Sequence, residues 1–252
     1  MAEYSEIQWT DATFNPWIGC TRISPACNHC YAARDNARRG WVPGWGTGIP
    51  RKRTKTWNEP QKWNRAHDEF FANNGRHRRV FCASLADVFD NEAPDEWRAD
   101  LWVLIRETPN LRWILLTKRI GNARKMLPPD WPFPNAGLMA TLANQEEWDR
   151  DYPKLMRTPA TWRGVSAEPL LGFINIEPAI MKFGTVDWII TGGESGPKRR
   201  KLDMDAVRVI RDQCETWSIA FYHKQNGGLH SKDAGCLVDG IEHKNFPEAL
   251  AA

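Results

Sequence analysis

The sequence contains no long hydrophobic run. Its longest apolar stretches, such as Trp113–Leu116 and Trp188–Ile190, have the length of a β-strand and fall far short of the roughly 20 residues that a membrane-spanning helix needs. The N-terminus lacks the basic start and apolar core of a signal peptide. We therefore expect a cytoplasmic protein without membrane association, in a compartment where disulfides are rare.

The chain also lacks a large excess of either positive or negative charge. The chain has 34 Lys and Arg residues against 31 Asp and Glu residues, which gives a formal net charge of +3. A dedicated nucleic-acid-binding domain is usually more basic, so bulk charge does not predict such a partner. With 252 residues, 42% of them hydrophobic, the chain suits one large globular domain with a sizeable core.

Short apolar strands alternate with amphipathic helical segments along most of the chain. Strands are predicted at Val80–Ala83, Arg112–Thr117, Leu138–Leu142, Trp162–Ser166, Asp187–Thr191 and Ile219–Lys224. Helices are predicted from about Pro94 and at Gly121–Leu127, Glu146–Met156 and Asp203–Thr216. Repeated β-then-α units imply a parallel sheet. We predict an α/β fold in which residues 1–252 form a single-domain, partly open (β/α) TIM-like barrel.

Each predicted strand runs into polar side chains. The C-terminal strand ends of a parallel barrel converge on one face, where active sites lie, so these side chains are predicted to share a site. As catalytic candidates we take Lys118, Glu168 and Glu194. As cofactor-binding candidates we take Ser84, Asp87, Asn144, Ser166, Gly192, Gly193, Ser195, Lys224 and Gln225.

The chemistry of these residues suggests individual roles, each with a structural alternative. Glu168 precedes a proline and is held extended; it could act as a general base, or form a salt bridge to Lys118 or Lys224. Lys118 and Arg119 could bind a carboxylate or phosphate, or pair on the surface. Glu194 lies in a glycine-rich turn, where the backbone can approach a ligand closely, although a plain turn is the alternative.

Three of the six cysteines are close in sequence. Cys20, Cys27 and Cys30 form the pattern C-x6-C-x2-C on a loop that enters a helix near Tyr31. Three thiolates can hold three irons of a [4Fe–4S] cluster and leave the fourth iron open. A structural zinc site normally needs four ligands, and we expect the ring of His29 to point away. An iron–sulfur cluster is favoured, with zinc or redox-active thiols as alternatives.

The cysteine segment and several later motifs resemble a family of phage and bacterial proteins of undetermined function, the three-Cys-motif phage proteins. The matching segments are Asn15–Cys20, Cys27–Ala32, Ser84–Phe89, Leu116–Arg119, Ser166–Gly172, Gly192–Gly196 and Lys224–Gln225. The cysteine segment is also similar to the spore photoproduct lyase branch of radical SAM enzymes. That resemblance implies a [4Fe–4S] cluster that binds S-adenosylmethionine (AdoMet), an electron donor, and reductive cleavage of the cofactor. It also suggests that Asp87 faces the cofactor's ammonium group.

The region from about residue 40 to 79 lacks clear periodicity and is rich in basic and Trp residues, with some helix predicted near Pro60–Phe71. Its cluster Arg51–Lys55 lies near Trp57 and Trp63, and a second basic cluster spans Lys198–Lys201. Basic residues interleaved with Trp suit a nucleic-acid backbone with stacked bases. A solvated loop is the alternative for both clusters.

Together these features predict an iron–sulfur, radical-SAM-like enzyme that modifies or repairs a substrate, with a nucleic acid or another phosphate-bearing molecule as the favoured class. One alternative is a non-catalytic iron–sulfur or zinc module of phage origin that binds nucleic acid. Another is a zinc-stabilised hydrolase that uses Glu168 and Glu194 as a carboxylate pair. The sequence does not indicate the oligomeric state.

Overall fold

A computed structural model describes residues 3–230 and 233–251 of the chain. Its main sheet has seven parallel strands in chain order and curls into a half-barrel, which confirms the predicted α/β fold with a partly open parallel barrel. These strands are Ala12–Thr13 (β1), Arg78–Cys82 (β4), Leu111–Thr117 (β5), Ala136–Thr141 (β6), Arg163–Ala167 (β7), Trp188–Thr191 (β8) and Ala220–His223 (β9). Two antiparallel pairs lie outside the sheet: Trp17–Ile18 (β2) with Lys52–Arg53 (β3), and Leu237–Val238 (β10) with Ile241–Glu242 (β11).

The helices connect successive strands. They are Tyr31–Arg39 (α1), Glu59–Arg65 (α2), His67–Asn74 (α3), Asp95–Arg106 (α4), Ile120–Met126 (α5), Gln145–Arg157 (α6), Glu177–Phe183 (α7), Met204–Thr216 (α8) and Glu248–Ala251 (α9), with a short 3-10 helix at Pro25–Cys27. Among the described residues, no helix is long and apolar enough to cross a membrane.

The sheet separates two apolar layers because successive side chains of a strand point to opposite faces. Along β4, Val80 joins the large core between the sheet and the helices, whereas Phe81 points to the concave side. On that concave side Trp9 and Leu250, from the two ends of the chain, pack against the strands. The Arg79 guanidinium donates to the Leu250 carbonyl oxygen at 2.9 and 2.7 Å. The chain ends therefore fill part of the barrel interior.

The structure adds elements that the sequence pattern does not predict. Strands β1, β2 and β3 have two residues each, too short to show a period. The helix predicted near Pro60–Phe71 is two helices, α2 and α3, which meet at Ala66. Helix α7 is also additional, since its seven residues lack a clear amphipathic pattern.

Candidate functional site

The C-terminal strand ends and the cysteine loop surround one cavity of about 830 Å³. Its wall includes all three clustered cysteines, Cys20, Cys27 and Cys30. It also includes ten of the strand-end candidates: Ser84, Asp87, Lys118, Ser166, Glu168, Gly193, Glu194, Ser195, Lys224 and Gln225. The parallel sheet thus brings together residues that are far apart in sequence.

Two of the predicted cofactor-binding residues lie outside the cavity wall. Asn144 is the N-cap of α6, and its side-chain oxygen accepts from the Glu147 backbone N–H at 2.9 Å. Gly192 lies behind Glu168, because a Cβ atom at this position would be 2.9 Å from Glu168 Oε1. In the structure Asn144 caps a helix and Gly192 leaves room for Glu168, and cofactor contact by either residue stays a prediction.

A buried carboxylate anchors the middle of the cysteine loop. Ser24 caps the 3-10 helix that contains Cys27: its hydroxyl accepts from the Ala26 N–H at 3.0 Å and donates to Glu147 at 2.5 Å. Glu147, only 3% exposed, also accepts from the Ala143 backbone N–H at 2.8 Å. This pairing ties the cysteine loop to the segment between β6 and α6.

Arg119 anchors the start of the same loop. Its guanidinium lies 3.3 Å from Cys20 Sγ and donates to the Thr21 carbonyl oxygen at 2.7 Å. It also pairs with Asp87 at 3.3 Å. Because the Arg119 side chain is only 7% exposed, it holds the cysteine loop against the strand ends. This geometry favours an anchoring role over binding of the anionic ligand considered from the sequence.

Asp87 is surrounded by protein donors. Its Oδ1 accepts from the Phe89 N–H at 3.0 Å and the Thr117 hydroxyl at 2.7 Å. Its Oδ2 accepts from the Lys118 N–H at 3.0 Å and from Arg119. Because both oxygens are occupied, the geometry favours a role in joining the ends of β4 and β5 over the predicted contact with an ammonium group.

Glu194 forms a charged bridge across the mouth of the cavity. Its carboxylate contacts Arg200 and lies 2.9 Å from Nδ1 of His29, the residue between Cys27 and Cys30. Arg200 also donates to the Pro25 carbonyl oxygen at 3.1 Å. The His29 ring therefore has a specific partner in Glu194. We call this group, His29–Glu194–Arg200, the clasp.

Burial raises the pKa of Glu194, but hydrogen bonds from Arg200 and His29 outweigh it and lower the pKa to about 2. A carboxyl group that stays ionised at neutral pH has no proton to donate as a general acid. Its oxygens are also engaged by Arg200 and His29, through which it positions the cysteine loop, and a catalytic role for Glu194 stays a prediction.

The clasp leads to a prediction for acid stability. The pKa of Glu194, about 2 in the folded protein against an ordinary value of 4.5, means that its stabilising contribution is fully present above about pH 4.5 and is lost as the pH falls through about 2. We therefore expect Glu194→Gln to lower the free energy of unfolding at neutral pH, with the difference from wild type shrinking toward pH 2.

Urea unfolding at several pH values would measure this difference. Glu69→Gln is a suitable control because Glu69 is exposed on α3. A difference between Glu194→Gln and wild type that stays constant down to about pH 2 would contradict the clasp's electrostatic origin.

Glu168 and Lys224 form an ion pair at the rim, with Oε1 and Nζ 3.0 Å apart, which is the salt bridge considered as the alternative for Glu168. Ser166 Oγ lies 3.4 Å from the other carboxylate oxygen of Glu168.

Lys118 is different, because no described residue pairs with its ammonium group through a hydrogen bond or salt bridge. It is a cation of the wall with free capacity for a ligand.

Gln225 and Ser84 connect neighbouring loops around the rim. The Gln225 amide donates to the Gly193 carbonyl oxygen and to the Ser195 hydroxyl, both at 3.0 Å, and so joins the ends of β8 and β9. Ser84 accepts from the Asn15 amide at 3.0 Å through its hydroxyl, and from the Tyr31 hydroxyl at 2.9 Å through its carbonyl oxygen. These contacts hold the rim together around the cavity.

A family model for proteins of unknown function, DUF5131, matches residues 4–247. The chain belongs to this family. No curated protein matches the chain.

Several solved structures of spore photoproduct lyase resemble this DUF5131 protein at a distance. A double mutant with bound AdoMet and dinucleoside spore photoproduct has 12% identity and a TM-score of 0.47, covering 86% of this chain and 64% of that chain. A cysteine-to-serine mutant also has 12% identity and a TM-score of 0.47, with 83% and 62% covered. The chain thus spans less than two thirds of the length of these enzymes.

The donor set of the DUF5131 protein can be tested against the metal centres considered above. Cys20, Cys27 and Cys30 are partly exposed at one cavity wall, whereas Cys82 and Cys214 are buried. Among the described residues, no three His, Cys, Asp or Glu side chains converge on a point where they could hold a single metal ion. Cys thiolates are the usual ligands of iron–sulfur clusters, so three cysteines on one cavity wall match the donor chemistry of such a cluster.

Burial raises the pKa of the Cys20 thiol to about 12 in the DUF5131 protein, assisted by Asp87 and opposed by Arg119. A metal ion reverses this preference because a coordinating thiol is deprotonated. If Cys20 is a metal ligand as predicted, loading of the site would therefore release a proton from its thiol.

Sequence reasoning missed Ser24, Glu147 and Arg200 as supports of the cysteine loop. Ser24 followed by Pro25 is a recognisable helix start, and this signal could have identified the 3-10 turn. The partners of Ser24 and His29 come from distant segments, so no local pattern points to them.

Proposed function

We propose that this protein is an iron–sulfur enzyme of the radical-SAM type. Cys20, Cys27 and Cys30 would hold a [4Fe–4S] cluster, and the cavity would bind AdoMet beside a substrate from the nucleic-acid or nucleotide class. The observation that carries the proposal is the position of three accessible cysteines on the wall of an 830 Å³ cavity at the strand ends. We further propose that residues 1–252 form one domain around this cavity.

The chemistry would come from the bound cofactors. When bound, the cluster would supply one-electron reduction of AdoMet, with the electron coming from an external donor, and the products would be methionine and 5′-deoxyadenosine that carries a hydrogen atom from the substrate. Solved spore photoproduct lyase contains AdoMet and a dinucleoside photoproduct. The proposal assigns ligands of this kind to the present chain on the basis of its own residues.

The wall offers distinct groups for these ligands. The Lys118 ammonium group would bind a carboxylate or phosphate, since charge-assisted hydrogen bonds are the stronger ones. Glu168, held by Lys224, would accept from a hydroxyl group such as that of a ribose. Ser166 lies beside Glu168 and could share that ligand. Arg119 and the clasp would hold the cysteine loop in place.

The test is anaerobic purification followed by iron and sulfide analysis and EPR spectroscopy of the reduced protein, with and without AdoMet. We expect a [4Fe–4S] signal that changes when AdoMet is added, and formation of 5′-deoxyadenosine and methionine. An iron-free protein, or a cluster signal that AdoMet does not alter, would overturn the proposal in favour of a binding module.

A Lys118→Met variant sharpens this test. Lys118 lies on the cavity wall, and none of the three cysteines is hydrogen-bonded to its side chain in the described part of the chain. The variant should keep the cluster signal and need higher AdoMet concentrations for the spectral change. Loss of the cluster itself in this variant would contradict the assignment of Lys118 to ligand binding.

A further inference from the structure

Two basic segments that are distant in sequence meet at the mouth of the cavity. Helix α1 begins directly after Cys30, and Arg34 on this helix lines the cavity. The loop after β8 carries Lys198–Lys201. The two segments touch, because a Cβ atom at Gly196 would lie 2.6 Å from Nη1 of Arg34.

The surface formed by these segments has an excess of exposed positive charge. Its cations are Arg34, Arg38 and Arg39 on α1 and Lys198, Arg199 and Lys201 on the loop, all exposed. Asp35 is the one carboxylate in residues 31–39 and 196–201, and it lies 3.7 Å from both Arg34 and Arg38. We name these six residues the basic rim. Arg200 is excluded because it belongs to the clasp.

Arginines on one face of α1 continue the rim away from the cavity. Arg34 and Arg38 are four residues apart, so their side chains are neighbours on the helix surface. A rise of about 1.5 Å per residue separates them by roughly 6 Å along the helix axis, close to the spacing of successive phosphates in an extended nucleic-acid strand. The side chains are 52% and 70% exposed.

Partly exposed aromatic rings lie beside the rim. Trp41 follows α1 and contacts the Arg39 guanidinium, with 5.4 Å from the guanidinium carbon to the ring centroid. Trp45 lies on the cavity wall. Stacking of bases on aromatic rings next to a positively charged track is the usual mode of single-strand binding.

We propose that the basic rim binds the phosphate backbone of a single-stranded nucleic acid and leads one base into the cavity. A single strand is favoured over a duplex because its bases can enter the cavity without the energetic cost of unpairing and unstacking a duplex. The proposal rests on the proposed function for the reaction that follows, but the binding surface can be tested without it.

In the other basic cluster predicted from sequence, Arg51–Lys55, the two arginines are engaged by protein partners and are less able to bind phosphate. Arg51 is buried and pairs with Asp90 at 2.8 Å. Arg53 pairs with Asp100 at 2.7 Å, and its guanidinium carbon lies 4.1 Å from the centroid of the Trp57 ring. The prediction of a nucleic-acid site at this cluster is therefore corrected. Its exposed members, Lys52 and Lys55, provide a matched control.

The experiment compares the full chain with two triple variants by fluorescence anisotropy, using labelled single-stranded DNA and RNA oligonucleotides. The rim variant is Arg38→Ser/Lys198→Ser/Lys201→Ser. The control variant removes the same charge from exposed positions elsewhere, Lys52→Ser/Lys55→Ser/Lys125→Ser. Binding is measured over a range of salt concentrations and repeated with duplex DNA and with anionic phosphatidylserine vesicles.

Each phosphate contact to a single strand contributes about 0.7 to the slope of log affinity against log salt concentration. Loss of three contacts should therefore weaken binding roughly 100-fold at about 0.1 M salt and reduce the slope by about 2. The control variant should bind like wild type. Preference for DNA or RNA would identify the class of strand.

Three results would overturn the proposal: no binding by the wild type, equal losses in the two variants, or tighter binding to vesicles or duplex than to single strands. The EPR signal and AdoMet cleavage are measured on the same preparations. Rim-dependent binding by a protein without a cluster would support the basic rim as a binding surface and contradict the proposed enzyme function. A working cluster without nucleic-acid binding would support the proposed enzyme function and contradict the role of the basic rim.

Discussion

Replacing Cys27 with alanine is expected to remove nearly all of the proposed cluster and of the AdoMet cleavage proposed for it. A [4Fe–4S] cluster held by three cysteines loses one of its three protein ligands in this variant. The fold should survive, because Cys27 is partly exposed and its 3-10 helix is capped by Ser24 and held through Glu147. Iron and sulfide content, EPR and circular dichroism would measure these effects.

Cys236→Ala is the matched control for Cys27→Ala. Cys236 is also partly exposed, but it lies outside the cavity wall and its thiol donates to Glu242 at 3.1 Å. This variant should keep the iron content of wild type. Equal loss of iron from both variants would show that the cluster, if present, is held elsewhere.

Replacing Arg119 with methionine is expected to destabilise the protein strongly. Asp87 is 5% exposed, and Arg119 is its cationic partner in the structure. Removal of one member of a buried ion pair leaves an uncompensated charge and typically costs about 3–5 kcal/mol. Because Arg119 also holds Cys20 and the Thr21 carbonyl group, the variant should retain less iron as well. Urea unfolding of the cluster-free protein measures the first effect.

Two comparisons make the Arg119 result specific. Arg106→Met breaks a pair with Asp130 in which both side chains are substantially exposed, and should cost only about 0–1 kcal/mol. Arg119→Lys keeps the charge but cannot reproduce the planar set of donors, so it should restore part of the stability. An Arg119→Met protein as stable as Arg106→Met would contradict the role assigned to this residue.

Two residues that look like ligand-binding groups in the sequence, Arg119 and Glu194, hold the cysteine loop together with Glu147. Arg119 and Glu194 follow β5 and β8, Glu147 lies in the first turn of α6, and the three contact the loop near Cys20, His29 and Ser24. Anchoring the loop at three points restricts its motion, which lowers the entropy lost when ligands are positioned. Loop geometry, and with it the position of the cysteines, therefore depends on the barrel.

The sequence by itself determined most of the fold. Six of the seven sheet strands are apolar runs long enough to recognise, and β1 is missed because two residues carry no period. The rule that parallel strand ends converge then placed Ser84, Lys118, Glu168 and Gln225 around one cavity. The C-x6-C-x2-C spacing likewise brought the three cysteines to one loop, since the chain between them is short.

Only the tertiary structure decided what the charged side chains do. Asp87 and Glu194 are occupied by protein donors, Arg51 is buried against Asp90, and Arg34 meets the loop at Gly196. Most partners in these pairs come from distant segments of the chain. The exceptions are Phe89, which lies in the same loop as Asp87, and Arg200, which lies in the same loop as Glu194. Which loops meet depends on sheet curvature and on packing of the whole chain, whereas sequence periodicity reports local structure alone.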